Sequence, residues 1–535
     1  MSPHLRLSLV MLAVLMCRAR AQALPLDPSP AEGLAESHDH WDHIVRRRSI
    51  SSMFETHERD ETSHIVDIQE YYRESFDQGW DTHDQELMRL LKVLERVTAQ
   101  GGSTAQDRAS IQDETSHLLE VKVDSKPIQG RYIVMLQSDT DDYTLDRTIQ
   151  VLSKANRDSN QRIRASDIQA LRNLQGFVAT LNSKTLALLQ RHPLVAHIEA
   201  DMAVRRSQVA VPVEKETGVA ESDSAVTWNL DRLDQHTNKL DGVYKPEGTG
   251  KNVDLYIIDT GVMASHQELV GRVQYAGYDA VDDLTGTQNH GEDCNGHGTH
   301  CAGTAAGTTL GVAREATIYN LRALNCKGTG AVSGIVKGID RIIAQHKNEP
   351  TGRPKVISQS LGVKTSVSLN RAIVEATNAG IVMVGAAGNQ AGNACEHSPA
   401  SAKVGIAVGA TDQADKVSMF TNTGPCTDIM APGMSIKSAS ISCSTCTKTM
   451  SGTSMAAPHA AGYAAILRSL HPQLSAAEVK EKMMKQSTKN HIKLSAAISS
   501  RNIGETPDRL LYVAKANAPD SDIDIETAQS QWFPK

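Results

Sequence analysis

Leu255-Tyr-Ile-Ile-Asp259-Thr-Gly-Val262 is an apolar run that stops on a carboxylate and turns through a glycine. A continuous apolar run bounded by turn residues reads as a strand buried on both faces of a sheet. The strand it predicts, 253–258, is followed by similar runs at 316–324, 356–360, 381–387 and 405–409. Stretches with helical character and many small residues alternate with them, at 297–307, 333–345, 369–379 and 454–470. Such alternation predicts an α/β fold: one doubly wound, mostly parallel sheet across 222–515.

Outward from this domain the chain changes character. Arg131-Tyr-Ile-Val-Met-Leu136, Gly176-Phe-Val-Ala-Thr-Leu181 and Val195-Ala-His-Ile-Glu-Ala200 read as strands. A charged helical stretch to about Leu174 separates the first two, and a short helix closed by Pro193 separates the last two. That pattern predicts a small α+β domain over 126–209, joined to the larger one by a polar linker. Residues 22–125 form a polar extension whose clearest feature is the helical stripe Leu87, Leu90, Leu91, Leu94 and Val97. At the start, His4 and Arg6 precede an apolar run ending in Ala-x-Ala patterns, a secretory signal peptide over 1–21. The run is too short for the roughly 20 residues that a membrane span needs. Residues 516–535 are an acidic tail.

Composition narrows the function classes. The 535 residues are 40% hydrophobic and 22% charged, with a formal net charge of −7, so no basic footprint for nucleic acid is present. Of eight cysteines, Cys17 falls in the leader and seven lie from Cys294 to Cys446. Secretion puts these seven in an oxidising compartment.

Three stretches put reactive side chains where strands and loops turn into helices. Asp259 ends a strand, His297 opens a helix in Asn295-Gly-His-Gly-Thr-His300, and Ser454 opens another in Ser451-Gly-Thr-Ser-Met-Ala-Ala-Pro458-His. Each alone has a bland reading: a turn former, a structural imidazole, a helix cap. Together they meet the needs of serine nucleophilic catalysis, a hydroxyl, a base to take its proton and a carboxylate to orient the base. The order Asp, His, Ser is that of subtilisins.

With Gly385-Ala-Ala-Gly-Asn389 between the second and third, these blocks resemble the subtilisin-like serine proteases, in particular the proteinase K branch. The resemblance implies a serine endopeptidase that needs no cofactor for catalysis, acts on polypeptides and is a secreted monomer. Ser454 is then the nucleophile, His297 the general base and Asp259 its orienting partner, with Asn389 and the Ser454 N–H as oxyanion donors. His300 and His459 are expected to be structural. Gly328-Thr329-Gly330 and Ser360-Leu361-Gly362 imply two edges that hold an extended peptide, with Ala386, Ala387 and Gly388 walling the pocket. None of these segments is acidic, which argues for tolerant cleavage leaning to apolar residues. Val363 stands where the family usually has a second glycine.

The small domain resembles the family's inhibitor propeptide, through GRYIVML, GFVATL and VAHIEADMAV. It implies a folding aid and inhibitor that the enzyme removes itself, at a bond from Val204 to Ser222. The same resemblance implies disulfides Cys294–Cys326 and Cys395–Cys426, with Cys301 free beside His297. Cys443 and Cys446 are left to close a small ring or to stay redox-labile. A zinc cluster of Cys294, His297, His300 and Cys301 is disfavoured, because His297 is needed as base. A structural calcium ion is implied at Asp428 with the carbonyls of Lys403 and Gly405, against the alternative that Asp428 only caps a turn. The rival from another class is a non-catalytic subtilase fold that stays bound to its propeptide.

Overall fold

A computed structural model describes residues 127–155, 168–207, 226–349, 352–499 and 505–516. The signal peptide, the extension with its leucine stripe, most of the linker and the tail beyond 516 lie outside the described residues. The first part runs β1 (Pro127–Leu136), α1 (Asp142–Ala155), β2 (Ile168–Leu171), β3 (Gly176–Thr180), α2 (Ser183–Leu189) and β4 (Val195–Arg206). Residues 168–171 are therefore a strand, where the charge pattern predicted continued helix. Only Ile168 and Leu171 of that strand are buried, three residues apart, so the segment shows no period-two alternation that could overrule the flanking charge.

The chain falls into two compact units, and their boundary does not follow residue 209. One draws its described residues from Arg147–Ile168 and Leu181–Ala196. It holds α2, whose N-terminus is capped by the Asn182 side chain accepting from Thr185 N at 2.9 Å. The other comprises Val121–Asp146, Gln169–Thr180 and His197–Lys535. Here the expected small domain loses β1, β3 and most of β4 to the larger body, for a packing reason. Ile133, Met135, Leu174, Val178, Met202 and Val204 share one buried cluster with Leu321, Ile335, Ile339 and Ile373.

Within that larger unit the chain continues α3 (Trp228–Leu233), β5 (Asp254–Asp259), β6 (Val273–Tyr275), α4 (Ala280–Thr285) and α5 (His297–Ala306). Next come β7 (Thr317–Arg322), β8 (Thr329–Ala331), α6 (Val332–Asn348), β9 (Lys355–Gln359), β10 (Leu361–Lys364) and α7 (Val367–Asn378). Then follow β11 (Val382–Ala386), β12 (His397–Ser398), β13 (Ile406–Thr411), β14 (Ile429–Pro432), β15 (Ile436–Ala439) and β16 (Thr447–Met450). The last are α8 (Thr453–Leu470), α9 (Ala476–Gln486), β17 (Thr488–Lys489), α10 (Ala496–Ser499) and β18 (Arg509–Leu510). None of the described helices is long and apolar enough to cross a membrane.

Nine strands form the main sheet in the order β17-β18-β14-β13-β11-β9-β5-β7-β6. All its pairs are parallel except β17 with β18. Alternation along β5 sends Leu255 and Ile257 to one face and Tyr256 and Ile258 to the other. The first face is covered by α5 and α8, the second by α6 and α7, which makes the sheet doubly wound. Because β5 pairs with β7 on one side and β9 on the other, the sheet reverses its winding at β5. Asp259 is the last residue of β5, so it stands at the crevice where such sheets bind ligands.

Candidate active site

Asp259, His297 and Ser454 come from three elements, the end of β5 and the first turns of α5 and α8, and all three are buried. Asp259 Oδ1 accepts from His297 Nδ1 at 2.7 Å and from Thr260 N at 2.7 Å. An imidazole that donates from Nδ1 to a carboxylate presents Nε2 as a bare acceptor, and His297 Nε2 has no partner among the described residues. Ser454 Oγ lies elsewhere for the moment: it donates to Ser360 O at 3.0 Å.

The start of α5 is fixed by Asp293, which the sequence reading passed over. Its Oδ1 accepts from Asn295 N, Gly296 N and Thr260 Oγ1, and its Oδ2 from Thr299 N and Oγ1. Satisfying the orphan N–H groups of a helix start in this way locks the turn that carries His297. Gly298 is required by space: a Cβ there would lie 2.1 Å from Gly261 O. An acidic residue just before a helix start is a recognisable cap signal, and Asp293 was legible on that ground.

Asn389 is oriented by α8. Its Oδ1 accepts from Thr453 N at 2.9 Å and Thr453 Oγ1 at 2.8 Å, so its amide nitrogen must face the crevice. That Nδ2 donates to the carbonyl of Ser207, and Ser454 N approaches the same oxygen at 3.4 Å. Ala386 and Ala387 are packed into buried clusters, while Gly388 N donates to Thr453 Oγ1. From this segment, Asn389 is what reaches the seated carbonyl.

The edges expected to grip a peptide hold the chain's own residues 203–207. Ala203, Val204 and Arg205 pair antiparallel with Ala331, Gly330 and Thr329, while Arg205 and Arg206 pair with Gly362 and Leu361. Arg206 N donates to Gly328 O at 3.1 Å and Ser207 N to Ser360 O at 3.2 Å. Two carboxylates further back anchor the strand. Asp201 accepts from Ser333 N and Oγ at the start of α6, and Glu199 from Ser368 N at the start of α7, favourable positions for negative charge. A Cβ on Gly362 would stand 3.0 Å from Ser207 Oγ, so glycine leaves room for this residue. Val363 faces the other way, into the cluster with Leu361 and Val204 on the second face of the sheet, and pairs with Ser398.

The other histidines are bound structurally. His300 Nε2 donates to Ile436 O and Lys448 O, each at 3.0 Å, and burial holds its pKa down at about 3. His459 donates from Nδ1 to Met455 O and accepts from Asn229 Nδ2, and burial lowers it to about 4. The cysteines join as Cys294–Cys326, Cys395–Cys426 and Cys443–Cys446, so Cys294 has no thiolate to offer a metal. Cys301 is free and buried, with Sγ 3.9 Å from His297 Nδ1, and desolvation pushes its thiol pKa well up.

The calcium expectation does not fit what surrounds Asp428. Lys480 Nζ sits 2.9 Å from Asp428 Oδ1 and donates to Lys403 O at 2.5 Å and Gly405 O at 2.6 Å. The three oxygens assigned to a divalent ion are thus turned onto an ammonium. Lys480 was missed because its distance in sequence from Asp428 hid the contact.

A doubly wound sheet that brings an aspartate, a histidine and a serine to its switch point has the layout of a serine hydrolase. The chain belongs to the subtilase family, whose family model matches residues 250–504. The extracellular serine proteinase of Thermus sp. (strain Rt41A) is 38% identical over 400 residues, covering 72% of this chain and 90% of that protein. The alkaline serine exoprotease A of Vibrio alginolyticus is 35% identical over 378 residues, covering 70% and 67%. The crystal structure of a cold adapted subtilisin-like serine proteinase shares 39% identity and covers 54% of this chain and 99% of that chain, with a TM-score of 0.49. This protein is a secreted, subtilisin-like serine proteinase.

Proposed function

We propose that the chain is an endopeptidase that works through Asp259, His297 and Ser454, and that its first substrate is itself, at the bond from Ser207 to Gln208. The observation that carries this reading is the Ser207 carbonyl, held between Asn389 Nδ2 and Ser454 N at the end of a strand paired on both sides. A carbonyl aimed at two converging donors beside a serine hydroxyl is a bond ready for acyl transfer.

The hydroxyl of Ser454 swings from Ser360 O to His297 Nε2, a change within what catalytic hydrogen bonds do between resting and reacting states. His297 takes the proton as Oγ bonds to the Ser207 carbon. Asp259 holds the resulting imidazolium, and the oxyanion falls between Asn389 and Ser454 N. The proton then passes to the departing amine of Gln208, and water releases Ser207 as a carboxylate by the same steps. The expected outcome is that the first processed species begins at Gln208 on N-terminal sequencing; a different first residue removes the bond assignment.

After the cut, residues up to 207 act as the inhibitor propeptide, since their last five residues remain paired in the cleft. Specificity follows the same contacts. Val204, four residues before the bond, is fully buried, while the Arg205 side chain points to solvent. Substrates are therefore selected by an apolar fourth residue and tolerated at the third. A peptide library whose cleaved members are dominated by Arg or Lys before the bond counts against this.

Cys301 plays no part in these steps. Buried with a raised pKa, it should resist alkylation, which needs the thiolate, whereas a mercurial forms a bond to sulfur strong enough to displace the thiol proton to solvent and binds beside the base. Cys301→Ser is expected to keep its activity and lose mercurial inhibition; inhibition that persists in this variant places the mercury elsewhere.

A further inference from the structure

We propose that Lys480 is the built-in cation of the loop at 400–405, and that its ammonium replaces a divalent ion at the Asp428 site. The argument is one of valence and geometry. An ammonium carries three N–H donors and no acceptor. Lys480 spends all three, on Asp428 Oδ1, Lys403 O and Gly405 O, at 2.9, 2.5 and 2.6 Å. Calcium would need those same oxygens as part of a shell of six to eight at 2.3–2.6 Å, with its centre where the nitrogen lies. The two cations exclude each other by space and by charge.

The surroundings keep the ammonium there. Lys480 projects from the first half of α9, whose start is pinned by a full capping box between Ser475 and Glu478. On the other side, Asp428 is fixed from β14, its Oδ2 accepting from Ala407 N at 2.8 Å and its own N donating to Ala407 O. The loop between these anchors is conformationally demanding, because Lys403 adopts φ +60°. Its carbonyls turn inward, and a positive charge is what converging carbonyls and a carboxylate require. Both side chains keep only 19% of their exposure, so water shields the pair weakly.

The test uses the secreted chain with calcium in the buffer and two variants. Bound calcium per chain, measured by metal analysis after dialysis, should be the same for wild type and Asp428→Asn. A loss of one calcium per chain in Asp428→Asn overturns the proposal. Lys480→Ala should lower the melting temperature by about 5 °C or more, because it leaves a largely covered carboxylate and two carbonyls without their donor. An unchanged melting temperature also overturns it. If Lys480→Ala yields no folded protein, the calcium count of Asp428→Asn decides alone.

Discussion

Ser454→Ala is expected to lower peptide hydrolysis about 10⁶-fold and to leave the precursor uncut. The magnitude is that known for loss of the nucleophile in subtilisin, where binding and the oxyanion donors account for the residue of activity. The substitution is structurally mild. It removes one hydrogen bond, Ser454 Oγ to Ser360 O, worth about 1 kcal/mol, while Ser454 N stays in place. An uncut precursor alongside a processed wild type therefore reports chemistry and not misfolding. The measurement is a gel of secreted protein with fluorophosphonate labelling of both forms. Wild type that is neither processed nor labelled would defeat the enzyme reading. It would favour the rival, a binding protein held closed by residues 203–207 in its own cleft.

The second large effect falls on Asn389. Asn389→Ala is expected to lower kcat by about 10²–10³ with little change in KM, the loss that follows removal of one oxyanion donor. The split has a structural reason. The chain's own residues 203–206 are held by backbone pairing with β8 and β10 and by the burial of Val204, none of which involves the Asn389 side chain, and a peptide substrate is expected to be held in the same way. The amide is aimed by Thr453 at the carbonyl oxygen, where charge appears only in the transition state. Steady-state kinetics on a peptide substrate checks this; a change confined to KM would make Asn389 a binding residue only.

Much of the catalytic sheet was legible because its strands are buried on both faces. The runs at 253–258, 356–360 and 381–387 need no partner information to be recognised, and they coincide closely with β5, β9 and β11. The helices α5, α6, α7 and α8 were equally plain, each lying within a few residues of its expected span. Short or half-exposed elements were not. β6 leaves Gln274 and Tyr275 exposed, the β15–β16 hairpin carries three exposed residues in its second strand, and α9 is too polar to stand out. Their existence depends on what they pair with or cap.

The same division runs through the site. Asp259, His297 and Ser454 were marked by local chemistry, a carboxylate at a strand end and an imidazole and a hydroxyl at helix starts, while Asn389 was marked only by the resemblance to the family. Ser207 acts through its backbone carbonyl and Thr453 partly through its backbone N–H, groups that any residue owns, so no residue type advertises them, whereas Asp293 acts through its carboxylate and could have been read as a cap. The surroundings of the expected calcium site were hidden for a related reason. Asp428, Lys403 and Gly405 name the oxygens, but not the charge that comes to them, and a lysine from a later helix competes for the same place.

By itself the sequence determined the class of sheet, the placing of Asp259, His297 and Ser454 where strands and loops turn into helices, and the supply of cysteines, because burial patterns and reactive groups are local properties of the chain. Only the tertiary structure decided that residues 203–207 pair with β8 and β10 with Ser207 O facing Asn389 Nδ2 and Ser454 N, that β1, β3 and most of β4 pack with the larger body, and that Lys480 reaches the Asp428 site. Those outcomes rest on contacts between residues far apart in sequence, where space, donor count and charge balance choose among partners that no local pattern can rank.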